Sequence, residues 1–245
     1  MPASEVTSLV SAALQRGVDF EMRAGMLRED VAYRKIPADR RQAVVEQAIG
    51  YGREAAREMK ARHGTADAGK LSAELGLQVV ESAEDYVFGA VVMTSTYVHR
   101  QRQITLYTRA VAEMNAFLTR HDLVEVLGVA DVGPLYLAHE LFHHLEESRL
   151  GRAAKLCRVT TFRLGPFAIT SGISQLSEIA ADAFAQELSS LRFAPRLLDH
   201  LTVYIHNAKE GRRQLMALAF GRPPGAQGER GPQPERNEDS RQSVR

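Results

Sequence analysis

The sequence predicts an α+β fold: a helical N-terminal part, a small sheet, then a second helical part. Three observations carry this. Apolar residues recur at helical spacing over long stretches on both sides of the middle of the chain. Between those stretches, residues 77–108 turn to β-branched and aromatic composition. The 245 residues, 44% hydrophobic and 25% charged, are enough for a sizeable core.

Residues 4–29 read as one or two short amphipathic helices interrupted near Gly17. Pro37 precedes a long periodic segment, Asp39 to Arg62. Its apolar positions Val44, Val45, Ala48, Ile49, Ala55, Ala56 and Met59 keep one helical stripe, and His63-Gly64 ends it. A shorter helix over 67–75 stops at Gly76. Three strand candidates follow: Leu77 to Val80, Tyr86 to Thr94, and Gln103 to Thr108. Helical periodicity returns over 109–119, 132–148, 174–192 and 195–219. From Arg222 to Arg245 there is no aromatic residue, and Val244 is the single aliphatic one beyond alanine. That stretch has too little apolar surface to offset the entropy of ordering, so it is expected to be disordered. The expected organisation is an N-terminal helical segment (1–37), a main domain (38–221) and a tail (222–245).

Charge and cysteine content narrow the class. A net charge of +1, from 31 basic and 30 acidic residues, offers no basic excess for nucleic acid. Cys157 is the single cysteine, so no intramolecular disulfide forms and a reducing compartment is the simpler expectation. No segment reads as a signal peptide or as an apolar run of membrane-spanning length. The expectation is a soluble, cytoplasmic protein.

The chemistry-bearing feature is His139-Glu140-Leu141-Phe142-His143. Histidines four apart on a helix lie on one face, one turn above the other, so both imidazoles can converge on one ion. Glu140 then sits beside that ion, where it can act as a general base toward water. Val132, Leu135, Tyr136, Phe142 and Leu145 supply apolar contacts, Asp131 is available as an N-cap, and Pro134 is tolerated in the first turn. His144 points from another face and reads as surface or as an outer neighbour of the site.

A catalytic zinc site needs a third protein ligand and an open fourth position. An extended H-E-x-x-H-x-x-G-x-x-H motif would require glycine at 146 and histidine at 149, but these are Glu146 and Arg149. The best remaining candidate is Glu178, in Ser177-Glu178-Ile179-Ala180-Ala181-Asp182-Ala183-Phe184-Ala185. Its small residues allow close packing on the motif helix. Glu178 and Asp182 face the same way, so Glu178 can bind metal while Asp182 accepts the far N–H of a ligand histidine. Taken alone, the two carboxylates would read as exposed helix charges. Glu146, Glu147, His200 and His206 are rival third ligands, and His206, Tyr136 or Tyr204 could stabilise an oxyanion.

Ala138-His139-Glu140-Leu141-Phe142-His143, followed by the Glu178 to Leu188 segment, resembles the ImmA/IrrE-type zinc metallopeptidases, which belong to the gluzincins. The resemblance covers roughly residues 50–195 as a pattern. Phe142 stands where that family usually has glycine, and Asp182 where many members have asparagine. The resemblance implies a small metallopeptidase core, in which a short sheet of three or more strands packs on the HExxH helix. It implies a Zn2+ cofactor held by His139, His143 and Glu178, and a peptide or protein substrate paired with a sheet edge. Gln103 to Thr108 is the expected edge. A non-catalytic zinc-site protein, acting as a regulatory or binding module, is the alternative reading of the same residues.

Overall fold

The structure, a computed structural model, describes residues 4–84, 87–88, 91–164 and 167–221. The 222–245 tail and three residues of the second strand candidate, Tyr86, Gly89 and Ala90, lie outside these. Helices α1 (Glu5–Arg16) and α2 (Asp19–Glu29) part at Gly17, where φ is 71°, a conformation glycine adopts without penalty. After a 3-10 turn at Ala38–Arg40, helix α3 (Arg41–His63) runs 23 residues with the expected stripe buried. Helix α4 (Ala68–Glu74) begins at Asp67, whose side chain accepts the Lys70 N–H.

The sheet follows as β1 (Gln78–Ser82), a short antiparallel pair β2 (Val87–Phe88) and β3 (Val91–Val92), then β4 (Ser95–Val98) and β5 (Gln103–Tyr107). Its order is β1-β5-β4, with β1 parallel and β4 antiparallel to β5. Two expectations change here. The second strand candidate holds only the β2–β3 pair, and the strand that joins the sheet, β4, starts just beyond it. Gln103 to Thr108 is not an edge either. Strand β5 is bonded on both sides, and among the described residues β1 and β4 are the two edge strands.

Helices α5 (Thr108–Arg120), α6 (Leu123–Leu127) and α7 (Gly133–Leu145) come next, and α7 runs on into a π-helical turn, Glu146–Leu150. A hairpin, β6 (Arg158–Leu164) and β7 (Phe167–Gly172), leads to α8 (Gln175–Leu188). The helix expected over 195–219 is two, α9 (Arg196–His206) and α10 (Ala208–Phe220). The break falls at Asn207, whose side chain caps α10 by accepting the Glu210 N–H.

Helix α8 is the centre of the packing. On one side it lies against α3 at a separation only glycine permits, since a Cβ on Gly52 would sit 2.0 Å from the Ala180 carbonyl oxygen. On the other side its fully buried Ala181, Phe184 and Ala185 meet α7. Phe142 of α7 is fully buried, 5.5 Å from the Phe184 ring and 6.2 Å from that of Tyr51. A bulky ring therefore fills the junction of α3, α7 and α8. Among the described residues, no helix is long and apolar enough to cross a membrane.

Candidate metal centre

The register of α7 is fixed at its start. Asp131, one residue before the capping position, accepts the Gly133 N–H at 3.0 Å and the Asn115 amide at 2.9 Å, and Pro134 sits in the first turn. Val132, Leu135, Leu141, Phe142 and Leu145 bury one side of the helix, which leaves His139 and His143 facing the start of α8.

There the two imidazoles and Glu178 form a triangle of donor atoms. His139 Nε2 is 3.2 Å from His143 Nε2 and 3.2 Å from Glu178 Oε2, and His143 Nε2 is 3.6 Å from Glu178 Oε1. Four ligands at about 2.0–2.1 Å in a tetrahedron are about 3.3–3.4 Å apart along each edge. The two shorter separations are close to such an edge, and one donor atom from each of the three residues lies within 4.8 Å of the others, so this group could hold a metal. The Glu178 side chain is 44% exposed. A cleft of about 250 Å³ is lined by Ser95, Tyr136, His139, Glu140, Glu178 and Arg196 among others.

Comparison with protein families, with curated proteins and with solved structures finds no match. The chemistry of the site therefore rests on its own residues.

Electrostatics bind the triad together before any ion enters. Desolvation lowers the His143 pKa, but the carboxylates of Glu146, Glu178 and Glu140 outweigh it and lift it to about 10. His139 follows the same pattern: desolvation pulls it down, and the Glu178 hydrogen bond and charge carry it above its ordinary value. Desolvation opposes the Glu178 charge, yet the two histidines hold its carboxyl well below the usual range. Such mutual stabilisation describes charged imidazole–carboxylate pairs, whose protons a bound cation would have to displace.

Glu140 is 8% exposed, and its Oε1 accepts the Ser95 hydroxyl at 2.8 Å, a contact between α7 and the edge strand β4. Asp182 is elsewhere engaged. Among the described residues, the hydrogen bonds it makes run to Arg23, whose Nε donates to Oδ2 at 2.7 Å, and to the Arg196 N–H, which donates to Oδ1 at 2.6 Å, and not to a ligand histidine. Burial raises the Asp182 pKa, and Arg23, itself 1% exposed, opposes that rise. His144 is buried rather than on the surface, with its Nδ1 2.8 Å from the Tyr97 hydroxyl.

Of the rivals for the third ligand, Glu147, His200 and His206 have partners away from the triad. Glu147 pairs with Arg152, His200 Nδ1 is 2.8 Å from Gln214, and His206 is 3.3 Å from Glu113. Glu146 lies close, but against the other nitrogen of His143, with Oε2 3.3 Å from Nδ1. Sequence reasoning weighed Glu146 only as a ligand. The Tyr136 hydroxyl is buried with no hydrogen-bond partner among the described residues, beside the same cleft.

Proposed function

We propose that this protein is a zinc-dependent metallopeptidase of the gluzincin kind, similar in its motifs to the ImmA/IrrE-type enzymes. The observation that supports this most is the convergence of donor atoms from His139, His143 and Glu178 within 4.8 Å of one another, beside the Glu140 carboxylate in one cleft. Two imidazole nitrogens and one carboxylate suit zinc better than magnesium or calcium, which take oxygen donors.

A bound zinc ion supplies Lewis acidity that makes water a nucleophile near neutral pH. The rest is done by the chain. Glu140 takes the proton from the attacking water and returns it to the leaving amine, so one carboxylate serves as base and then as acid. The Ser95 hydroxyl donates to Oε1 and so orients the carboxylate. Strand β4, an edge strand among the described residues, would hydrogen-bond an extended peptide and lay its carbonyl across the cleft. Substrate recognition through backbone pairing suits a protein or peptide rather than a small molecule.

The test is Glu140→Gln. Glutamine keeps the size and the Ser95 contact but cannot accept a proton at neutral pH. The variant should retain zinc and lose peptide hydrolysis by about 100-fold or more. Unchanged turnover on a casein or quenched-peptide substrate would refute the role given to Glu140.

A further inference from the structure

We infer that Glu146 is the positioning residue of this centre: a single carboxylate that aims His143 Nε2 at the ion and ties the end of α7 to the start of α8. The inference depends on the metal reading above only for the presence of the ion.

Glu146 is 5% exposed, and a carboxylate that buried is rarely left without partners. Both its oxygens are used. Oε2 lies 3.3 Å from His143 Nδ1, while Oε1 accepts the Ala153 N–H at 2.6 Å and the Ser177 hydroxyl at 3.0 Å. An acceptor at Nδ1 keeps the imidazole proton there, so the lone pair of a neutral His143 falls on Nε2. That is the nitrogen 3.2 Å from His139 Nε2. The carboxylate thus selects the tautomer and the ring orientation that the triad needs.

Its second oxygen does a different job. Ser177 lies in the first turn of α8 and directly precedes Glu178. One carboxylate therefore fixes a ligand on α7 and the residue beside a ligand on α8. The π turn makes this reach feasible. Glu146 begins it, and the Gly151 N–H closes on the Glu146 carbonyl at 3.1 Å, which brings the Ala153 N–H onto the side chain.

The experiment uses the full chain. Zinc affinity is measured by competition with a chromophoric chelator for the wild type and Glu146→Gln, with melting temperature as a check on folding. Long-range nitrogen–proton NMR on histidine-labelled, zinc-loaded wild type reports which His143 nitrogen carries the proton. The expected results are a 10–100-fold loss of zinc affinity in Glu146→Gln, a smaller loss in Ser177→Ala, and a wild-type His143 protonated on Nδ1. An affinity within twofold of wild type in folded Glu146→Gln would overturn the inference, and so would a His143 protonated on Nε2. If Glu146→Gln does not fold, Glu146→Asp, whose shorter side chain cannot span both contacts, takes its place in the affinity measurement. A wild type that binds no zinc refutes the metal reading itself, a result distinct from all of these.

Discussion

Gly52 and Gly50 stand two residues apart on α3, and alanine should act on them in opposite directions. In a helix interior, glycine to alanine ordinarily stabilises by about 0.8–1.0 kcal/mol, through the smaller entropy loss of alanine. Gly50 is exposed, and an added Cβ there meets nothing within 4 Å, so Gly50→Ala should show that gain. At Gly52 the same Cβ would lie 2.0 Å from the Ala180 oxygen and 2.9 Å from its carbon, where ordinary contact begins near 3.4 Å. Both obstacles are backbone atoms and cannot rotate away, so α3 and α8 must separate by more than an ångström. Overpacking of this kind costs about 1–3 kcal/mol, occasionally more, and outweighs the propensity gain. Each kcal/mol shifts the melting temperature of a chain this size by about 2–4 °C. Gly50→Ala should therefore melt a few degrees higher than wild type and Gly52→Ala several degrees lower. Because α8 carries Glu178, the displaced helix should also weaken zinc binding in Gly52→Ala alone. Thermal melts and chelator competition on the pair provide the check. Equal stabilisation by both substitutions would refute the close α3–α8 contact.

Arg23 and Asp182 form a buried pair, 1% and 4% exposed. Arg23→Met should destabilise by about 3–5 kcal/mol, since it leaves the Asp182 charge unpaired in the interior. Burial already raises the Asp182 pKa, and loss of Arg23 raises it further. The folded variant then binds more protons than the unfolded chain, so its deficit in denaturant melts should shrink as pH falls below neutral. A deficit independent of pH would argue against an ionised Asp182. Metal uptake should be pH-dependent for a separate reason. The metal-free protein holds a proton on His143, whose pKa is raised to about 10, and also raises that of His139. Zinc must displace such protons, so affinity should rise with pH through the neutral range and titration calorimetry should show proton release. Affinity flat with pH would contradict the pairing of these histidines with carboxylates.

The helices were legible because their signal is local. The stripe from Val44 to Met59 has one period and one terminator, and α3 follows it. His139 and His143 are brought together by helical spacing alone, and the alanines around Glu178 foretell its close approach to α7. What the sequence hid depends on distant partners. Asp182 has the right spacing to serve a ligand histidine, but Arg23, 159 residues earlier in the chain, takes its Oδ2. Glu146 reaches His143 Nδ1 where α7 gives way to a π turn, and nothing in the local sequence announces that turn. Strand β4 is only four residues long and follows a longer β-rich run, so it was hidden behind that run. The β6–β7 hairpin does leave a signal, in the β-branched and aromatic Val159-Thr160-Thr161-Phe162 and the Gly165-Pro166 dipeptide.

The central claim is that His139, His143 and Glu178 hold one zinc ion. The most direct measurement is zinc stoichiometry and affinity on the purified protein beside Glu178→Ala, with folding checked by circular dichroism. About one tightly held zinc per wild-type chain is expected, with severe loss of affinity in the folded variant. A wild type without zinc, or a Glu178→Ala protein that binds it as tightly as wild type, would contradict the claim.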